Sequence, residues 1–467
     1  MVFSSSFFMF FFLPLCMILY FNPFFKSIKI KNFILLIFSL LFYCYGSLKY
    51  LWVLLLSIIF NYIIGIILEK YKYKKFTLVF GISLNVFLLL YFKIMGLVNT
   101  STDTILPVLG PLGIAFFTFQ EISYIIDIYR KVVSAEKNII RYALYVSFFP
   151  QLISGPIIRY DEVYKELENR KIDEEKMAYG IYEFIIGLFK KCVLADTIGN
   201  CAITIFGFGS TSICYSWLGA ISLMLQIYYD FSGYSNMAIG MAKIFGFNIK
   251  KNFDHPYMAR SVHEYWKRWN ISLGEWFNDY VLYPVCNSKI YNYLLRKISV
   301  VFNKKTAFKI MNYISLTIVW ILVGLWHGLG INYLYMGIYY AFFLIIEKEF
   351  RFPKKKNILS NFYTLFVVSI ATVLFFSYND KEFVFLKSMF INQKLIDNRV
   401  YLMLSNYWIY YLVAIIFSYP VLDKIKERMK NIRFYFVMKF IFILIIFIIS
   451  IYFIVVNEYK PFIYFNF

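Results

Sequence analysis

The chain has 467 residues, 61% of them apolar, 22% aromatic and only 16% charged, with a mean hydropathy of +0.64. No soluble domain of this size stays in solution with so little charge, so the composition excludes a soluble enzyme and indicates a polytopic membrane protein. The net charge of +21 does not indicate nucleic acid, because the basic residues cluster between apolar runs, at Lys26/Lys29/Lys31, Lys70/Lys72/Lys74/Lys75, Lys304/Lys305, Lys354/Lys355/Lys356 and Lys424 to Arg433. That is the positive-inside pattern of cytoplasmic loops.

Apolar windows of about 20 residues, the length that crosses a bilayer, fall near 7–23, 32–47, 50–68, 76–96, 111–129, 178–200, 213–236, 308–327, 331–349, 359–377, 401–420 and 435–456. The first lacks a basic n-region and a small-residue cleavage site, so it reads as a span and not as a cleaved signal peptide. Placing the basic clusters inside puts the loops at 24–31, 69–75, 130–141, 289–305, 351–356 and 423–433 in the cytoplasm. Loops 97–110 and 378–400, the N-terminus and the tail after Tyr452 then lie outside, giving about twelve crossings. The six cysteines (Cys16, Cys44, Cys192, Cys201, Cys214, Cys286) have no CxxC or metal-ligand spacing and read as small buried hydrophobes.

Two segments depart from the simple count. Residues 142–157 are apolar but short, and Pro150 with Ser154-Gly155-Pro156 breaks a helix there. A re-entrant element packed inside protein is expected, because irregular backbone cannot face lipid; the alternative is a loop on the membrane surface. The second segment, 260–284, places Val262, Tyr265, Trp266, Trp269, Leu273, Trp276, Phe277 and Tyr280 at helical spacing opposite a charged face. It reads as an amphipathic helix in the cytoplasmic interface, with a bend at Gly274.

Polar residues inside the spans are the remaining signals. Gln120, Glu121 and Asp127 sit in FFTFQEISYIIDIYRK, where Asp127 and Arg130 are i,i+3 neighbours able to pair. Asp230 sits in QIYYDFSGYSNMAIG among small and aromatic residues. They either hold helices together by buried hydrogen bonds or mark a polar cavity. His327, in Gly324-Leu325-Trp326-His327-Gly328, is one of only three histidines, with His255 and His263. An ionisable group at the centre of a span costs roughly 2.5–3.5 kcal/mol, which makes it a functional-site candidate; the bland alternative is an imidazole satisfied by one hydrogen bond. A neutral imidazole beside a bound hydroxyl is a general base, and Gly328 and Gly330 leave room for a substrate to approach it. The chain carries no P-loop, GxGxxG, HExxH or Ser-His-Asp arrangement. Acyl transfer from a thioester to an alcohol and proton-coupled transport of a polysaccharide or lipid both fit these residues.

Several stretches resemble the membrane-bound O-acyltransferase family, in particular the branch containing the bacterial alginate O-acetyltransferase membrane component. They are MVFSS, PLGIAFFTFQEISYIIDIYR, FFPQLISGPIIRY, GLFKKCVLAD, YYDFSGYSNMAIGMAKIFGF, NFDHPYMARSVHEYWKRWNISLGEWFNDYVLYP, GLWHG and the terminal PFIYFNF. The resemblance implies one membrane-embedded acyltransferase domain over 1–467, with the motifs in 110–350 and helices around a central tunnel. It matches the family's essential histidine to His327 and places 260–284 along the cytoplasmic side of the tunnel. It implies Trp266, Trp269, Trp326, Gly328 and Asp230 as tunnel-lining candidates, and Asn270 and Arg268 as groups that orient the donor. The family's usual RRWH reads Lys267-Arg268-Trp269-Asn270 here, so the second histidine is an amide, which cannot serve as a base. His263, about 10 Å away on the same helical face by the ~1.5 Å rise per residue, is not expected to replace it.

The resemblance further implies a multi-pass protein of the bacterial plasma membrane. It would pass an acyl group, acetyl first, from a cytoplasmic acyl-CoA or acyl-carrier thioester toward an extracytoplasmic polysaccharide, directly or through a partner transferase. No bound cofactor, metal or nucleic acid is implied. D-alanyl transfer to a teichoic acid from a carrier protein, a transporter relaying protons through His327 and an inactive scaffold are the alternatives.

Overall fold

The computed structural model describes residues 2–71, 73–100, 110–354, 357–376, 382–429 and 434–456. Every regular element among them is helical, and the chain folds as an all-α polytopic membrane protein. Two compact units are formed, one from Met1–Leu188 with Tyr234–Lys251, the other from Phe189–Gly233 with Asn252–Phe453.

The first unit begins with a π-helical turn, Phe8–Phe12, that runs into α1 (Leu13–Tyr20). It continues through α2 (Ile28–Ser47), α3 (Leu51–Lys70), α4 (Lys74–Thr100), α5 (Ile114–Tyr129), α6 (Ile139–Ser147), α7 (Phe149–Leu152), α8 (Tyr160–Glu168) and α9 (Glu174–Phe189). α10 (Asp196–Phe208) opens the second unit, and α11 (Ile213–Ile244) contributes to both. Then come α12 (Val262–Arg268), α13 (Ile271–Phe277), α14 (Tyr283–Cys286), α15 (Lys289–Val301), α16 (Lys304–His327) and α17 (Ile331–Phe350). α18 (Ile358–Phe375), α19 (Glu382–Ser388), α20 (Asn398–Ser418), α21 (Val421–Met429) and α22 (Tyr435–Val456) complete the second unit.

Seven helical runs among the described residues are long and apolar enough to cross a membrane: Ile28–Lys70, Lys74–Gly96, Glu174–Phe208, Lys304–His327, Ile358–Phe375, Asn398–Ser418 and Tyr435–Val456. The first holds two of the expected windows, divided by a 3₁₀ turn at Leu48–Tyr50. The windows at 7–23, 111–129, 213–236 and 331–349 fall on helices that are shorter or more polar, namely α1, α5, α11 and α17. Parts of the loops 97–110, 351–356, 378–400 and 423–433, and the terminal PFIYFNF, lie outside the described residues.

The broken stretch 142–157 is two short helices parted at Phe148 (φ −52°, ψ 110°), one residue before α7 starts and two before Pro150. It is buried almost throughout, as irregular backbone in an apolar surrounding has to be. Glu121 of α5 proves to be a tie between helices, and α3 carries a second tie to α4. Ser57 Oγ on α3 donates to Glu121 Oε2 at 2.5 Å, and Asn61 and Asn85 exchange side-chain hydrogen bonds of 3.1 and 2.7 Å between α3 and α4. Asp127 is buried while Arg130 is exposed at the helix end.

Arg170, between α8 and α9, gathers four parts of the first unit. Its Nε donates to the Tyr20 hydroxyl and the Phe245 carbonyl, both at 3.0 Å, and Nη1 donates to Asn32 Oδ1 at 2.5 Å. The guanidinium also lies 4.4 Å from the Phe247 ring centroid. Burial pulls its pKa below the ordinary arginine value. Hydrogen bonds of a charged group contribute about 1.5–3 kcal/mol each. Arg170→Met should therefore lower the thermal unfolding midpoint of the detergent-solubilised protein by several degrees, with Arg170→Lys intermediate; equal melting of all three would show that the network contributes nothing.

Candidate functional site

The site is built on the α16–α17 hairpin of the second unit. α16 starts where the Asn303 side chain accepts from the Thr306 N–H at 2.8 Å. It ends at His327 because Gly328 takes up extended backbone (φ 179°, ψ 169°), and α17 begins at Ile331. The two helices meet at glycine. A Cβ on Gly324 would lie 2.3 Å from the Tyr333 carbonyl oxygen, and one on Gly337 would lie 2.5 Å from the Trp320 carbonyl oxygen. Only residues without a side chain let the backbones approach this closely.

That approach fixes His327. The imidazole is 8% exposed and stands edge-on to Trp326 (4.4 Å between ring centroids) and Phe375 (4.9 Å), with the Tyr333 ring stacked at 6.2 Å. Asn332 Nδ2 donates to the Phe375 carbonyl at 2.8 Å, which ties the start of α17 to the end of α18. The space that Gly328 leaves is filled from inside: a Cβ there would lie 2.2 Å from Tyr333 Cε2. Gly328 thus accommodates the Tyr333 ring beside the imidazole, and not open room for a substrate as its missing side chain suggests.

The stretch 260–284 is not one helix. α12 ends at Arg268, and α13 starts after Asn270, which adopts the left-handed conformation (φ 43°, ψ 56°). Asparagine tolerates this region better than most residues, and a neighbouring segment clamps it. Asn252 Nδ2 donates to Asn270 Oδ1 at 3.1 Å, the Ile271 N–H donates to the Asn252 carbonyl at 3.0 Å, and Ser272 donates to Asn252 Oδ1 from its N–H and its hydroxyl. The Asp254 N–H donates to the Arg268 carbonyl at 2.9 Å. Gly274, expected to mark the bend, stays within α13. His263 therefore shares no continuous helical face with Asn270; its side chain is exposed, and its N–H donates to Glu347 Oε2 at 2.9 Å.

The other candidates separate into two surroundings. Trp266 packs onto the hairpin, its ring centroid 4.6 Å from Trp320 and 4.8 Å from Tyr340. Trp320 precedes His327 by seven residues on the same face of α16, about 10 Å along the axis. Trp269 instead turns into an aromatic cluster with Phe253 (5.1 Å), Tyr265 (5.5 Å) and Tyr228 (5.9 Å). Arg268 is committed to carboxylates, with Nη1 3.2 Å from Asp254 Oδ2 and Nη2 3.1 Å from Glu264 Oε1.

Asp230 is engaged in an ion pair whose partner sequence reasoning missed. Lys191 Nζ lies 2.7 Å from Asp230 Oδ1 and 2.9 Å from Asp196 Oδ1, and the Lys191 side chain is 2% exposed. Lys191 sits in a π-helical turn, Lys190–Ala195, a feature often found where a side chain is re-aimed. The one signal in the sequence is that a lysine falls inside an otherwise apolar window, where a cation needs a partner.

Residues 129–296 match the model of the membrane-bound O-acyltransferase family. A probable alginate O-acetylase of Pseudomonas aeruginosa is 34% identical over 393 residues, 80% of this chain and 72% of that protein. The chain belongs to the membrane-bound O-acyltransferase family. A peptidoglycan O-acetyltransferase of Helicobacter pylori is 31% identical over 428 residues (80% of this chain, 77% of that protein). A teichoic acid D-alanyltransferase of Bacillus subtilis is 27% identical over 270 residues (56% and 66%). This membrane-bound O-acyltransferase is accordingly an enzyme, and acyl transfer takes the place of the transporter reading that its composition left open.

The hairpin gives a direct test. Gly324→Val and Gly337→Val should each destabilise by about 1–3 kcal/mol through overpacking and abolish most of the activity by displacing His327. Gly207→Ala, which meets nothing within 4 Å, is the control. Melting temperature and acyl transfer are measured together; a fully active, normally stable Gly337→Val would show that the close approach is dispensable.

Proposed function

We propose that this acyltransferase moves an acyl group, acetyl in the first instance, from a cytoplasmic thioester to hydroxyls of an extracytoplasmic polysaccharide in the bacterial plasma membrane. Delivery is direct or through a partner transferase outside the membrane. The observation that carries the chemistry is His327, a buried imidazole held in an aromatic box at the end of a spanning helix. The acceptor class is supported by the relatives, whose names specify alginate and peptidoglycan.

The reaction balances on one imidazole. His327 takes the proton of the acceptor hydroxyl as its oxygen forms a bond to the thioester carbonyl carbon. The tetrahedral adduct then collapses, the C–S bond breaks, and the imidazolium returns its proton to the leaving thiolate. An ester and a free thiol are the products. Asn270 and Arg268 orient the donor at the cytoplasmic side. Burial of the site excludes water, which would otherwise hydrolyse the thioester. A second reading, D-alanyl transfer from a carrier protein to a teichoic acid, is favoured by the likeness to the Bacillus subtilis protein, and it uses the same bond changes.

The test reconstitutes the full chain in liposomes with radiolabelled acetyl-CoA, or acetyl or D-alanyl carrier protein, on one side and a soluble glycan on the other. Wild type should consume one donor and label the glycan, and His327→Ala should lower turnover about 10²–10⁴-fold while melting like wild type. Equal turnover by the two would remove His327 from the chemistry.

A further inference from the structure

Trp266 carries a polar group that the described residues do not answer. Its indole Nε1 is buried, and no hydrogen-bond acceptor reaches it. Three rings pack around this half-buried indole. Trp320 meets it at 68° and Tyr340 at 89°, while Tyr265 stands edge-on at 5.5 Å. Buried donors in native structures are nearly always satisfied, so one held rigidly without an acceptor marks a place for an acceptor from outside the chain. The position of this donor narrows what that acceptor is. Trp320 lies on the His327 face of α16, about 10 Å along the axis toward Lys304, and α12 lies in the stretch that the charge pattern assigns to the cytoplasmic side.

We propose that Trp266 is a donor-binding residue whose Nε1–H gives a hydrogen bond to an amide carbonyl of the pantetheine arm that carries the acyl thioester. The inference rests on the reading that the donor is such a thioester. With the thioester carbonyl at His327, a group one cage further along α16 stands opposite the amides of the extended arm and not opposite the reacting carbon. Trp320 and Tyr340 then wall the arm's methylenes. The arm is common to acyl-CoA and acyl carrier protein, so the contact serves either source. It also sets the selectivity: a thioester without the amide leaves the indole N–H unanswered and binds more weakly.

The experiment uses the reconstituted full-length protein and four donors: acetyl-CoA, acetyl carrier protein, S-acetyl-pantetheine and an S-acetyl alkanethiol of matching length without amides. Wild type should prefer S-acetyl-pantetheine to the amide-free donor. Trp266→Phe keeps a ring and removes the N–H. It should raise KM for every amide-bearing donor about 2- to 10-fold, the net worth of one neutral hydrogen bond, with kcat within twofold and the amide-free donor unaffected. An unchanged KM, or an equal loss on amide-bearing and amide-free donors, would overturn the assignment and leave Trp266 a packing residue. Should Trp266→Phe not fold, the wild-type preference decides, and its absence overturns the proposal. Turnover by wild type with Trp266→Phe indistinguishable from it defeats this contact alone. No turnover of any thioester by wild type defeats the thioester reading and this contact with it.

Discussion

A helix surrounded by lipid has no water to satisfy its polar side chains, so each one it carries must be met by another part of the protein or by a ligand. This constraint orders the structure. Ser57 meets Glu121, Asn61 meets Asn85, and Lys191 meets Asp230; each tie joins different helices within one unit. An ion pair as buried as Lys191–Asp230 is a weak source of net stability, because desolvating both groups offsets most of their attraction. What it contributes is register. Asp230 fixes the part of α11 whose Tyr228 and Phe231 pack against Phe253, and Phe253 lies between Asn252 and Asp254, which clamp the turn at Asn270.

The hairpin obeys a second constraint, that of volume. Gly324 and Gly337 bring two backbones into direct contact, and the aromatic rings displaced from that seam gather at its ends. At one end Trp326, Tyr333 and Phe375 enclose His327; further down, Trp320 and Tyr340 enclose Trp266. The same close packing that leaves no room at Gly328 makes the imidazole's orientation independent of a substrate. Preorganisation of this kind is worth more to a proton-transfer group than mobility, because a small displacement of a base costs a large share of its effect.

The spanning helices are legible in the sequence because hydropathy is a local property summed over some 20 residues. The interruption at 142–157 is legible for a similar reason, since Pro150 and Ser154-Gly155-Pro156 act on their own neighbours. Asn270 is different. Its left-handed turn depends on hydrogen bonds from Asn252 and Ser272, and the apolar periodicity of 260–284 runs through the break without a sign of it. Gly274 is a weak helix former, yet α13 keeps it, its N–H donating to the Asn270 carbonyl at 3.2 Å. The family is legible from its motifs. The filling of the Gly328 space by Tyr333 and the partner of Asp230 are not, because both are set by residues brought together only in the fold.

Where the family's usual pattern carries a second histidine, this chain carries Asn270. An amide held by Asn252 and carried on a strained turn has a fixed direction and no proton to exchange. Under the thioester chemistry proposed above, a proton taken from the acceptor hydroxyl returns to the thiolate through His327 itself. A single base working in both directions needs no relay of charge across the membrane, only a leaving sulfur and an entering oxygen within reach of one ring. The aromatic box around His327 suits that economy: Trp326, Tyr333 and Phe375 hold the ring in one orientation for both transfers. On the same proposal, selectivity for the donor comes from further along its arm, at the rings beside Trp266.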